Sequence, residues 1–194
     1  MDHWLSYLRG RALEAFRRPA EAIDAYRAAL RLRPDFHRSA NRLAYTLASL
    51  QRYDEAEQTF RAVLRLDPSN AVAHFNLGYV CEKLGQFEKA IQEFRESTRL
   101  NPKIDRAWYG MGMCHAHLGQ HAQAVAALEQ AATLQPMNPH AWYALGMAHH
   151  ATNNPDKLKA TALHLVRFDP RMARRLIVDA QRSDLAYLVK DLVV

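Results

Sequence analysis

Apolar residues recur along the chain with a helical period that stops and restarts at regular intervals. The pattern is plainest between residues 71 and 100. Apolar positions repeat every three or four residues over 71–84, break, and resume over 87–100. Gly85 falls at the break, where a left-handed residue can close a helix. Asn101-Pro102 ends the second run, because a residue before proline disfavours the α conformation. Two helices joined by a tight turn are therefore predicted here, and similar paired runs occur elsewhere in the chain. Pro19 and Pro155 are expected in the first turn of a second helix, where a missing N–H costs nothing.

Prolines set the period. Pro34, Pro68, Pro102, Pro136 and Pro170 are each 34 residues apart, preceded by LRLR, LRLD, TRLN, ATLQ and VRFD. An internal repeat of this length governs how every local motif is read. Five copies follow, over residues 3–36, 37–70, 71–104, 105–138 and 139–172. Position 8 holds Gly10, Ala44, Gly78, Gly112 and Gly146, small residues where two helices approach closely. Position 20 holds Ala22, Ala56, Ala90 and Ala124, then Leu158; position 24 holds Tyr26, Phe60, Phe94 and Leu128, then Ala162. This arrangement resembles the tetratricopeptide repeat family, with the fifth copy departing from it in its second helix. The resemblance implies an all-α fold, a right-handed α-solenoid of stacked helix-turn-helix hairpins in one domain spanning 1–194. Residues 173–194 are expected to supply one or two capping helices. Met172, Leu176, Ile177 and Ala180 would make the apolar face of the first, with Arg171, Arg174, Arg175 and Arg182 polar. Ser183 would cap a second, short helix carrying Leu185, Leu188 and Leu192.

The resemblance also implies where function lies. In this family the first helix of each copy lines a concave groove, with positions 2, 5, 6, 9, 12 and 13 facing it. The groove residues expected here are Tyr7, Arg11, Arg38, Asn41, Arg42 and Tyr45 in copies one and two, and Phe75, Asn76 and Tyr79 in copy three. Copies four and five add Arg106, Tyr109, Met113, His117, His140, Tyr143, Met147 and His150. Aromatic and thioether side chains at solvent-facing slots mark contact surfaces. Arginine forks beside them suit carboxylates or backbone carbonyls, and the histidines would respond to pH. The expected function is thus a scaffold that holds a peptide or helical segment of a partner protein. The carboxylate clamp of some relatives is not expected: its best register offers Asn41, Tyr45, Asn76, Arg106 and Gly110, of which only Asn76 matches. An asparagine ladder at position 6 is likewise reduced to Asn76.

Charge and cysteine content narrow the alternatives. The formal charge is +6, with basic residues outnumbering acidic ones twelve to nine over 1–68, balanced six to six over 69–136, and eight to five beyond. A continuous basic stripe for a phosphate backbone is absent, so nucleic-acid or anion binding through the basic ends is a secondary reading. Self-association through the terminal segment 184–194 is another. Two cysteines build no disulfide framework, the N-terminus MDHWLSYLRG lacks a signal-peptide core, and no eighteen-residue apolar run exists. A cytoplasmic location and no membrane partner are expected.

The stretch MCHAHLGQH, residues 113–121, looks like a metal site until the repeat is laid over it. His115 then takes the inward slot of Leu13, Leu47, Cys81 and His149. Gly119 separates His117 from His121, leaving Cys114 and His117 as at most two ligands where structural zinc needs four. No nucleophile–base spacing, phosphate loop or carboxylate pair stands out. No metal, no cofactor and no catalysis are expected.

Overall fold

The computed structural model describes residues 2–190. Among these the chain forms eleven α-helices, a short 3-10 helix and no strand. The helices are α1 (His3–Ala15), α2 (Pro19–Leu32), α3 (His37–Ser49), α4 (Tyr53–Leu66), α5 (Ala71–Lys83) and α6 (Phe87–Leu100). They continue with α7 (Asp105–His117), α8 (His121–Leu134), α9 (Pro139–Ala151), α10 (Pro155–Val166) and α11 (Pro170–Asp179), and the 3-10 helix spans Ser183–Val189. Odd-numbered helices α1 to α9 begin at residues 3, 37, 71, 105 and 139, keeping the interval of 34. Pro19 and Pro155 are the first residues of α2 and α10.

Two compact units are present, residues 1–101 and 102–194. In the first unit α1/α2, α3/α4 and α5/α6 pair as hairpins, while α2 packs on α3 and α4 on α5. In α1/α2 and α5/α6 the second helix drives a large ring against the glycine at position 8. A Cβ on Gly10 would sit 2.5 Å from the Tyr26 ring, and one on Gly78 would sit 2.7 Å from the Phe94 ring. Only a residue without a side chain permits that approach. Tyr26 and Phe94 are almost wholly buried as a result, and Phe60 is equally buried in the hairpin whose position 8 is Ala44.

In the second unit α7/α8 and α9/α10 pair, α8 packs on α9, and α11 packs on both α9 and α10. The fifth copy departs from the pattern for a visible reason. Position 24 there is Ala162, too small to reach the first helix, and Leu176 of α11 fills the space instead. Its Cδ2 would lie 2.5 Å from a Cβ on Gly146. Leu158, Ala162, Leu165, Ala173, Leu176 and Ile177 then form one core with Leu185 and Val189 of the 3-10 helix.

The terminal helix differs from expectation at its start. It begins at Pro170 and not at Ala173, because Asp169 accepts a hydrogen bond from the Met172 N–H at 2.9 Å and proline suits the first position. The short element after it is a 3-10 helix preceded by Arg182, and Ser183 is its first residue and not its cap. Leu192 lies outside the described residues.

The turn between paired helices uses one conformation throughout. Arg17, Gln51, Gly85, Gly119 and Asn153, one in each hairpin and 34 residues apart, all have φ between 52° and 72°. Glycine is present at two of the five, so three hairpins hold an L-residue in a region that favours glycine.

Candidate functional site

The first helices of the first unit present their position-9 residues to solvent. Tyr45 on α3 is 56% exposed and Tyr79 on α5 is 39% exposed, and these two helices lie side by side. Each ring carries a cation: the Arg42 guanidinium is 5.9 Å from the Tyr45 centroid and the Lys83 ammonium 5.0 Å from that of Tyr79. Arg38 sits 5.3 Å from the Trp4 ring, which is itself 37% exposed. Such pairs hold exposed rings in place. Asn41 and Asn76 are half-buried on the same helices, and the Asn41 side chain donates to the His37 carbonyl at 2.9 Å.

Position 5 behaves differently. Tyr7 is buried, with its ring against Trp4, Tyr26 and Phe36, so it is not a groove residue as expected from the resemblance. Tyr7 turns instead into an aromatic cluster built by its own hairpin and by Phe36, the residue just before α3. Phe75 is half-buried, 6.0 Å from the Phe94 ring. The exposed aromatic row is therefore that of position 9.

Arg42 is not a free fork. It forms an ion pair with Glu14 of α1, whose carboxylate also accepts from Thr46 Oγ at 2.6 Å and Tyr26 Oη at 2.8 Å. Burial opposes the charge on Glu14, but these three donors outweigh it and hold the carboxyl below its ordinary range. Burial, together with the neighbouring Glu14, pushes the Tyr26 phenol up to about 12. Arg11 also approaches this group, 3.4 Å from Tyr7 Oη and 4.0 Å from Glu14. One network thus ties α1, α2 and α3 together beneath the exposed rings. The acid at position 12 of one copy facing the arginine at position 6 of the next is the signal that could have revealed it.

On the second unit Met113 of α7 is 38% exposed, with Arg106 and His117 exposed on the same helix and Tyr109 half-buried. On α9, His140 and His150 are exposed and Tyr143 and Met147 half-buried. Tyr143 is engaged by the terminal helix: its hydroxyl donates to Asp179 at 2.6 Å and the Arg175 guanidinium lies 5.0 Å from its ring. Three of the four terminal arginines are similarly occupied. Arg175 pairs with Asp179 at 3.4 Å, Arg182 pairs with Asp184 at 2.7 Å and reaches the Pro155 carbonyl, and Arg174 donates to the Val189 carbonyl. Within 183–190, Leu185 and Val189 face the core while Tyr187 is exposed.

The histidine-rich stretch resolves as the register predicts. His115 is buried and its Nδ1 is 2.6 Å from Gln120 Oε1, and His149 is buried one repeat later. Burial and the nearby Lys157 lower the pKa of His149. Among the described residues no three metal-ligating side chains converge. Cys81 and Cys114 are both buried, and burial, with Glu57 and Glu93 nearby, raises the Cys81 thiol to about 11. No helix among the described residues is long and apolar enough to cross a membrane.

Known proteins share both the repeat and the fold. A family model described as the tetratricopeptide repeat matches residues 7–71, 42–103 and 75–131, and another described as TPR repeat matches 115–153. None of the curated protein sequences compared with the chain matches it. Solved structures with a similar fold include MamA, at 19% identity and a TM-score of 0.80, covering 94% of this chain and 96% of that one. A MamA fragment from Desulfovibrio magneticus RS-1 has 22% identity and a TM-score of 0.78, covering 93% and 97%. YrrB, described as a TPR protein with an unusual peptide-binding site, has 21% identity and a TM-score of 0.79, covering 91% and 90%.

Proposed function

Because the chain belongs to the tetratricopeptide repeat family, we propose that it is a non-catalytic interaction module that holds a segment of a partner protein against its first helices. The fold is that of a protein–protein interaction scaffold, and a peptide-binding site has been described for YrrB, which shares it. The observation that carries the finer reading is the position-9 row. Tyr45 and Tyr79 stand exposed on neighbouring helices, each with a cation on its ring. Leaving large rings wet is unfavourable, and fixing them beforehand reduces the ordering cost of binding. Two such anchors contribute roughly 1.5–3 kcal/mol each before that cost, about 3–6 kcal/mol together, which by themselves correspond to affinity between millimolar and tens of micromolar for a short segment. Met113 offers an adaptable thioether contact on the second unit.

The test is site-specific photo-crosslinking. A benzophenone amino acid at position 45 or 79 is predicted to give discrete protein adducts in source lysate. The same group at Gln58 or Gln92, exposed on α4 and α6, should give none. Equal adducts from both faces would refute the assignment of the surface.

A further inference from the structure

We infer that the outer edge of the first hairpin is a self-complementary surface, on which α1 of one copy docks against α2 of a second copy. In the first unit, the third residue of a first helix is Ser39 or Ala73, both fully buried where the preceding hairpin packs. The same slot on α1 holds Leu5, and it is 60% exposed. Beside it α1 and α2 frame a cleft of about 560 Å³ whose floor and walls include Leu5, Ser6, Arg9, Asp24, Ala25 and Ala28. Ser6 Oγ is buried there with no hydrogen-bond partner.

Charge selects the occupant. The seventh slot carries buried Leu43 and Leu77 on α3 and α5, but Arg9 on α1. An apolar helix laid over this edge would bury an unpaired guanidinium, which is strongly unfavourable. Arg9 and Asp24 are both exposed and neither forms an ion pair or side-chain hydrogen bond among the described residues. Glu21, by contrast, is held by Arg18 at 2.5 Å. A fitting partner must bring an acid to Arg9 and a cation to Asp24, and a second copy brings both. A two-fold axis parallel to the helices lays α1 over α2 of the other copy, at matching height because the hairpin is antiparallel. Arg9 then meets the partner subunit's Asp24 and the converse pair forms by symmetry, while Leu5 covers the small apolar floor. Such an isologous contact closes as a dimer and does not propagate.

Sedimentation velocity of the 194-residue chain over a concentration series tests this. The account predicts a reversible monomer–dimer equilibrium, weakened about tenfold or more by Leu5→Arg. Arg9→Glu and Asp24→Arg should each weaken it, and the double exchange should restore it, with circular dichroism, and melting at dilutions where the chain is monomeric, unchanged in every variant because all three side chains are exposed. A monomer at every concentration, or a dimer indifferent to Leu5→Arg and to the charge exchange, would overturn the proposal.

Discussion

The fifth hairpin offers a quantitative test of how the repeat closes. Leu176 is fully buried, and the three atoms nearest to a methyl placed on Gly146 all belong to it. Leu176→Ala removes that side chain from the core, and such truncations cost about 2–5 kcal/mol. Gly146→Ala in the wild-type chain places a carbon 2.5 Å from Leu176 Cδ2. Overpacking of that kind costs about 1–3 kcal/mol, set against a gain of about 1 kcal/mol in helix propensity. With Leu176 already truncated the clash disappears, so Gly146→Ala should then stabilise by about 1 kcal/mol. The predicted coupling is therefore about 1–3 kcal/mol, within the range for residues in contact. Urea unfolding of the four proteins, followed by far-UV circular dichroism and tryptophan fluorescence, measures it. Equal effects of Gly146→Ala in both backgrounds would refute the idea that α11 substitutes for the missing large residue of α10.

Four further outcomes follow from the geometry. Replacing Gln51 by glycine, at φ 59°, should stabilise by about 1 kcal/mol, whereas Gly85→Ala at φ 72° should destabilise by a similar amount, both read from urea midpoints. The Glu14 carboxyl titrates lower folded than unfolded, so its contribution is present above the ordinary carboxylate range and is lost as pH falls through and below it. Glu14→Gln should flatten that acid limb of a stability–pH curve. His149 titrates lower folded than unfolded, so acidification below its ordinary value destabilises; His149→Leu, the residue found at Leu13 and Leu47, should remove that component without loss at neutral pH. Cys81, with its thiol at about 11, should resist alkylation at pH 8 in the folded chain and react promptly once unfolded.

The hairpins were legible because proline spacing and apolar periodicity are local signals. Every first and second helix of the five copies begins where the 34-residue register sets it. The turns were half legible: Gly85 announced a left-handed residue, but Arg17, Gln51 and Asn153 adopt the same backbone without the sequence showing it. At each of them the following N–H closes back onto the first helix, Arg18 to the Leu13 carbonyl, Arg52 to Leu47 and Asn154 to His149, the same hydrogen bond that Gln86 makes to Cys81 after Gly85. Surface assignment was less legible still. Tyr7 and Tyr45 occupy different slots of the same kind of helix, yet one is sealed among Trp4, Tyr26 and Phe36 and the other stands in solvent. Position 5 turns toward the second helix of its own hairpin, Tyr7 to Tyr26 and Phe75 to Phe94, whereas Tyr45 and Tyr79 at position 9 face solvent, and apolar periodicity alone does not rank the two slots. Arg42 similarly reads as an open fork in the sequence, whereas in the fold Glu14, 28 residues earlier, claims it.

The decisive measurement is a binding titration with the partner segment recovered from the position-45 crosslink, made as a synthetic peptide. Wild-type chain should bind it saturably, with a dissociation constant between about tens of micromolar and millimolar. Tyr45→Ala and Tyr79→Ala should each weaken binding at least several-fold while unfolding free energies from urea denaturation stay within about 0.5 kcal/mol of wild type. Unchanged affinity in both variants would contradict the claim that the exposed rings of the first helices hold the partner.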